Sequence, residues 1–148
     1  MQILIPMAAK SAFFPADQFF FPKPLIEVMG RPMIERVVDD LSDTLSGASF
    51  HFVVSKDDVT SYSLDGTLRL IAGNEAKIIT VTGQTRGGLC SALLAADELD
   101  MEDELIVANG DQIIDVNYAD ALAHFRSQGA DAGVITFDSV HPRWSYAR

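Results

Sequence analysis

Three short stretches of this chain carry the side chains best suited to phosphate chemistry, and each follows an apolar run. Asn109-Gly110-Asp111 follows the apolar residues 105–108. A carboxylate in that place suits Mg²⁺, which takes one or two carboxylates and completes its shell with phosphate oxygens and water. An Asp after Asn-Gly is equally a good turn former, so the residues alone leave both readings open. Residues 83–88, Gly-Gln-Thr-Arg-Gly-Gly, end on two glycines before a helical pattern, leaving N–H groups accessible to an anion or a base edge. A plain turn with a cap explains them as well. Residues 6–24 hold Lys10, Ser11, Asp17 and Lys23 together with Phe13, Phe14, Phe19, Phe20 and Phe21. A connection of about nineteen residues is far longer than the usual two to six, which marks a functional loop. Its phenylalanines read first as packing of the loop onto a sheet, with a ligand-covering lid as the alternative. Lys10-Ser11 lacks the spaced glycines of a P-loop.

The remaining reactive side chains read as structural. His51 lies in an apolar run and is expected in the core, and His124 beside a helical stripe is expected at the surface. No Ser or Cys motif accompanies them, so nucleophilic hydrolysis has no foothold. Cys90 has small or apolar neighbours at helical spacing and is expected to be a packed thiol. The acidic residues 97–104 read as a solvated helix end, since nothing fixes their carboxylates toward one point. A dinucleotide oxidoreductase is excluded because G-x-G-x-x-G does not follow the first apolar run.

The elements that position these loops follow from periodicity. Short, nearly continuous apolar runs at 3–5, 50–54, 77–81, 105–108 and 132–137 predict strands covered on both faces. Ile34, Val37, Val38, Leu41 and Leu45 form a helical stripe over 32–45, with Pro32 at the first helical position. Leu89, Leu93, Ala96 and Leu99 predict a second helix opened by Gly87-Gly88. Tyr118, Ala121, Leu122 and Phe125 predict a third, capped by Asn117 and stopped at Gly129. Residues 57–72 predict two short helices broken near Asp65-Gly66. The alternation predicts an α/β fold, a Rossmann-like three-layer αβα arrangement on a mainly parallel sheet, with ligands beyond the carboxyl ends of the strands. With 148 residues and no linker or repeat, residues 1–148 are expected to form a single domain.

Bulk properties narrow the partners. A net charge of −10 argues against nucleic acid, whose binding rests on Lys and Arg neutralising phosphates. A small phosphorylated ligand needs only a few local cations, N–H groups or a metal ion. The single cysteine permits no internal disulfide, and no run approaches the roughly 20 apolar residues of a membrane helix. The expectation is a soluble, cytoplasmic protein with neither nucleic-acid nor membrane partners.

The stretch Phe21-Pro22-Lys23-Pro24-Leu25-Ile26-Glu27-Val28-Met29-Gly30-Arg31-Pro32-Met33-Ile34 resembles the P-K-P-L signature of sugar-phosphate nucleotidyltransferases, the family of the NDP-sugar pyrophosphorylases. Residues 83–88 and the helix after them resemble that family's base-recognition loop, and Asn109-Gly110-Asp111 its metal-binding turn. The order and separation of the three fit as well. The resemblance implies the nucleotide-diphospho-sugar transferase type of fold. It assigns Lys23 to the phosphates and the transition state, Asp111 to Mg²⁺, and Ala8, Ala9, Lys10, Gln84 and Gly88 to the nucleotide. The implied reaction is attack by a sugar-phosphate or phosphocholine-like oxygen on the α-phosphorus of a nucleoside triphosphate, releasing pyrophosphate.

Two departures from the family pattern shape the alternatives. The family's Gly-rich loop ending in Arg is replaced by Ala8-Ala9-Lys10-Ser11-Ala12-Phe13, whose methyl groups crowd the backbone's approach to phosphate. A catalytically impaired relative that binds a nucleotide or nucleotide sugar is therefore one alternative. A glycosyltransferase using a nucleotide sugar is another, although Gly110 stands where its Asp-x-Asp turn needs a carboxylate. The family also continues beyond the equivalent of Arg148, so the expectation is an incomplete sheet, either a fragment or an edge covered in a homo-oligomer.

Overall fold

β-Branched and aromatic residues favour a pleated, buried backbone, and the apolar runs of this chain become its strands. The structure, a computed structural model, describes residues 1–9, 14–15, 17–83, 85 and 87–141. In chain order the elements are β1 (Gln2–Pro6), the short hairpin strands β2 (Glu27–Val28) and β3 (Arg31–Pro32), α1 (Met33–Thr44), β4 (Ser49–Ser55), α2 (Lys56–Tyr62), α3 (Leu64–Ala72), β5 (Lys77–Val81), α4 (Gly88–Leu93), β6 (Leu105–Val107) and α5 (Tyr118–Ser127). Residues 1–114 form one compact unit and the chain from Asp115 onward a second.

The first unit holds a sheet in the order β5-β4-β1-β6, with every neighbouring pair parallel. Alternation sorts its side chains into two faces. Leu4, Val53, Ile79 and Val81 meet Ala8, Ala92, Ala95 and Leu99 on one face. Ile3, Ile5, Phe50, Phe52 and Val54 point the other way, the Phe50 and Phe52 rings stacked at 5.9 Å. Crossovers from β1 to β4 and from β4 to β5, two steps in the same direction across a parallel sheet, put α1 and α3 in contact on that second face. Their Ile34, Val38, Leu41, Leu64 and Leu68 are buried. The return crossing from β5 to β6 carries α4 over the first face. The arrangement is the Rossmann-like αβα sandwich that the periodicity predicts.

Gln2 joins the start of the sheet to the segment before β6. Its buried side-chain amide donates to the Asp100 carbonyl at 2.8 Å and accepts from the Asp100 N–H at 2.9 Å. The Met1 ammonium lies 2.6 Å from the Asp103 carboxylate. Beyond β6, the Ala108 N–H donates to the Leu4 carbonyl at 3.0 Å and carries the ladder one residue further.

Several expectations are corrected. The second helix is shorter than its stripe, because α4 ends at Leu93 and residues Ala96–Glu98 form a 3-10 turn with tighter angular spacing. On α4 and just after it, Ser91 and Ala95, four residues apart, face inward, while Leu89 and Leu93 are exposed. Cys90, on the same outer side, is exposed rather than packed. The break between α2 and α3 falls at Ser63, in the left-handed region at φ 51°, rather than at Asp65-Gly66. Residues 132–137 carry no paired strand in the second unit. There the helix α5 forms as expected, with the Asn117 side chain accepting from the Asp120 N–H at 3.2 Å and Gly129 at φ 62° ending it. β6 is also less covered than predicted, with Leu105 and Val107 exposed. No helix among the described residues is long and apolar enough to cross a membrane.

Candidate functional site

Because all four strands run the same way, their carboxyl ends share one rim. The order β5-β4-β1-β6 reverses direction at β1, and a crevice opens at such a switch point between the carboxyl ends of the two diverging strands. The strands flanking it here are β1 and β6. Met7, Ala8 and Ala9 leave β1 at that point and Asn109-Gly110-Asp111 leaves β6.

The Asn-Gly-Asp turn is shaped by close packing. Gly110 is buried against the end of β1, where an added Cβ would lie 3.2 Å from Ile5 Cγ2 and 3.3 Å from Met7 Sδ. Glycine lets the turn sit down on the sheet and leaves the next residue, Asp111, at the rim. The Asn109 amide donates to Gln112 Oε1 at 2.6 Å and closes the turn.

Lys23 reaches the same point from 88 residues away, its Nζ donating to Asp111 Oδ2 at 3.1 Å. It starts a 3-10 turn, Lys23–Leu25, that a proline pair stiffens and the buried Pro24 anchors. The Leu25 N–H donates to the Pro22 carbonyl at 2.8 Å, and the Met33 N–H donates to Ile26 at 2.9 Å. Arg36 of α1 ties the following hairpin down, donating to the Val28 and Met29 carbonyls at 2.6 and 3.0 Å. The ammonium therefore projects from a braced segment, 19% exposed, toward a carboxylate 37% exposed.

A cleft of about 410 Å³ opens on the other side of Lys23. Its floor is Met7, Ala8 and Ala9. The segment with Phe14, Phe19, Phe20, Phe21 and Pro22 lines it as well, and so does α2 from its N-cap Ser55 through Asp57 and Asp58 to its last residues, Ser61 and Tyr62. Ala8 packs its methyl group into the core with Leu4, Val53 and Val81, so it can offer a ligand only its backbone. A second cavity, about 250 Å³ with Arg69, Lys77 and Glu98, lies at the amino end of β5, away from this rim.

Of the nucleotide-contact candidates, Ala8 and Ala9 line the cleft, and Lys10 and Gln84 lie outside the described residues. Gly88 opens α4 at the carboxyl end of β5, preceded by Gly87 at φ 133°, a backbone state that a side chain would strain. Ser91 pins that loop, its hydroxyl 2.6 Å from Thr85 Oγ1 and 3.4 Å from the Gly87 carbonyl. Tyr62, Asp57 and Ser55 were missed from sequence. The rule that ligands sit beyond strand ends covers the end of β4 too. With α2 following β4 directly, there was no loop there to draw attention.

Asp111 offers one carboxylate at a rim where phosphate oxygens can complete a shell. The described residues contain no cluster of three acidic, His or Cys side chains able to hold a metal by themselves. The donor set thus fits Mg²⁺ held jointly with a phosphorylated ligand. Lys23 and Asp111 together can grip a phosphate from two directions, one by charge and one through a cation.

Comparison with known proteins agrees with this geometry. A family model described as MobA-like NTP transferase domain matches residues 17–147. No curated protein matches the sequence. The nucleoside-diphosphate-sugar pyrophosphorylase from Vibrio cholerae superposes with a TM-score of 0.59 at 22% identity, over 75% of this chain and 47% of that one. HddC from Yersinia pseudotuberculosis complexed with GMP-PN gives 0.62 at 17% identity, over 84% and 53%. The UTP-bound UGPase from Acinetobacter baumannii gives 0.62 at 20% identity, over 87% and 53%. These likenesses establish a nucleotide-diphospho-sugar transferase type of fold. The chain spans about half the length of these solved structures.

Proposed function

This chain belongs to the MobA-like NTP transferase domain family, and from that premise we propose that it transfers a nucleoside monophosphate from a nucleoside triphosphate to a small phosphorylated acceptor of the sugar-phosphate class. An acceptor phosphate oxygen attacks the α-phosphorus, a new P–O bond forms, and the bond to the leaving pyrophosphate breaks. The observation that carries this proposal is the Lys23–Asp111 contact at 3.1 Å, at the rim where β1 and β6 diverge.

Mg²⁺, held by Asp111 and phosphate oxygens, would neutralise the charge of the triphosphate. Lys23 would turn from Asp111 toward the phosphates and offset the negative charge that grows on the leaving group, a role suited to a compact ammonium on a long stem. The backbone of Ala8 and Ala9 and the turn at Gly88 would orient the nucleotide, together with Lys10 and Gln84. Catalysis of this type is positioning plus electrostatics, so few side chains suffice. The lone cysteine fits a reducing cytoplasm.

A second proposal, binding of a nucleotide or nucleotide sugar without turnover, is favoured by Ala8, whose methyl group occupies the core where the family's loop is glycine-rich. Thermal shift with the four nucleoside triphosphates and common nucleotide sugars, with and without Mg²⁺, separates the two. Ligand at a hundred times its Kd stabilises the fold by about 2.7 kcal/mol. Transfer requires a triphosphate shift that depends on Mg²⁺ and pyrophosphate release with a hexose 1-phosphate. Lys23→Met should lower that rate about a hundredfold or more while changing stability by less than about 1 kcal/mol, the range of exposed ion pairs. A shift by nucleotide sugars alone would leave only the binding role.

A further inference from the structure

The loop over residues 83–88 leaves β5 rich in glycine, and Gly83 at φ 78° and Gly87 at φ 133° hold backbone states that side chains avoid. A loop of that composition has many conformations open to it, and a ligand that had to order it would bind more weakly. Ser91 of α4 fastens it beforehand. This residue is 1% exposed and stands next to Ala92, which packs against Leu4, Val53 and Val81. Alanine would suit the position better as a helix former with no polar atom to bury. A buried hydroxyl must find partners, and this one finds them in the loop.

Ser91 Oγ lies 2.6 Å from Thr85 Oγ1, and the Gly87 carbonyl oxygen lies 3.4 Å from Ser91 Oγ and 3.5 Å from Thr85 Oγ1. Whichever hydroxyl donates across the short pair, the other has its proton free for Gly87. The same carbonyl accepts the Ser91 N–H at 3.1 Å. The middle and the end of the loop are thus tied to one buried helical residue.

Strand order indicates which part of a nucleotide this loop serves. Lys23 and Asp111 meet at the rim of β1 and β6, where the proposed function places the phosphates. Neighbouring strands lie about 4.8 Å apart, so in the order β5-β4-β1-β6 the end of β5 is ~10 Å from that of β1 and ~14 Å from that of β6. A nucleotide with its phosphates at Lys23 reaches the end of β5 with its base. Thr85 stands in the loop there.

We infer that the Thr85–Ser91 hydroxyl pair sets the choice of nucleobase: it holds the loop backbone in the one shape that accepts the preferred base, with Ser91 as a positioning residue that does not touch the ligand. This rests on the nucleotide binding proposed above and adds what makes it selective.

The test is calorimetric titration of the full chain with ATP, GTP, CTP and UTP in turn, each with Mg²⁺. The four share a ribose and a triphosphate, so the ratio of their affinities isolates the base. The unaltered chain is expected to favour one of them by about tenfold or more. In Ser91→Ala and in Thr85→Val that preference should fall about two- to tenfold, the range of one neutral hydrogen bond. The double variant should fall no further than the singles, because one bond is lost only once. Thr85→Ser keeps the hydroxyl and should keep the preference. Mg²⁺–tripolyphosphate, which has no base, should bind all of them alike. Two single variants on separate elements guard against one failing to fold. Equal affinity of the unaltered chain for all four triphosphates overturns the inference. A loss of the same size for every triphosphate, the mark of a purely structural role, does so too, as does loss of the preference in Thr85→Ser. Triphosphate binding with a preference unchanged in Ser91→Ala and Thr85→Val defeats the positioning role alone. No triphosphate binding by the unaltered chain defeats the transfer function and this inference with it.

Discussion

Replacing Gly110 by alanine should destabilise the protein and loosen its rim, whereas the same replacement at Gly66 should stabilise it. At Gly110 the new Cβ would sit 3.2 Å from Ile5 Cγ2, 3.3 Å from Met7 Sδ and 3.5 Å from Met7 Cβ. Carbon atoms pack best at about 3.5–4.0 Å, so neighbours must yield by a few tenths of an ångström. Met7 is a flexible thioether and can swing. Ile5 cannot, since it is fully buried in a central strand paired with Phe52 in β4. Overpacking of that kind costs about 1–3 kcal/mol. Removing glycine from the unfolded chain returns about 0.4–1 kcal/mol, which leaves a net loss of up to about 2.6 kcal/mol, with a middle value of about 1.3 kcal/mol. Gly66 lies inside α3 with nothing within 4 Å of its added Cβ, so only the favourable part remains, about 0.5–1 kcal/mol. Urea denaturation followed by circular dichroism would read both, with a slope of about 1–3 kcal/mol per molar. Because Asp111 follows Gly110 directly, Mg²⁺-dependent nucleotide binding should weaken in Gly110→Ala and stay unchanged in Gly66→Ala. If both variants gain stability, the turn does not pack on β1 as described, and its account of how Asp111 is placed fails.

Two further outcomes follow from polar groups in the same unit. Hydrogen bonding from the Met1 ammonium, and less so from the Glu104 N–H, holds the Asp103 carboxyl below its usual range. A depressed folded-state value means that this contribution is complete above the unfolded value and disappears as the pH falls through the folded one. Asp103→Asn should therefore flatten the decline in stability between about pH 5 and 2, and an unchanged acid limb would dismiss the contact. His51 is buried on β4 with no partner for Nδ1 among the described residues. His51→Leu should stabilise by about 1 kcal/mol in the same assay, since an unsatisfied buried nitrogen is removed at similar volume. A loss of stability would mean that this nitrogen is hydrogen-bonded after all.

How much was legible in the chain depended on how local the cause was. Strands β1, β4, β5 and β6 and the helices α1 and α5 were readable because continuous apolar runs and an i, i+3, i+4 stripe with caps are local patterns. The face of α4 was not. Leu89 and Leu93 look like core residues, yet Ser91 and Ala95 are the ones that the packing buries, and the helix stops at Leu93. Residues 132–137 have a strand's composition, yet a strand also needs a neighbour to pair with, and composition cannot supply one. The Lys23 and Asp111 segments were recognisable by type and spacing, but the 3.1 Å contact between them was not. Tyr62 and Asp57 gave no signal at all, being ordinary residues of a short helix until the rim placed them across from the phenylalanines.

By itself, the sequence determined the α/β class, the parallel sheet and the family, because alternating periods and an ordered P-K-P-L segment are properties of neighbouring residues. Tertiary structure decided which distant groups share a cleft. The order of the strands brings the carboxyl ends of β1 and β6 side by side, and Gly110 lets one turn rest on the other strand. Only a folded sheet can then set an ammonium, a carboxylate and three aromatic rings around one rim, since such convergence depends on crossover handedness and packing distance rather than on any local pattern.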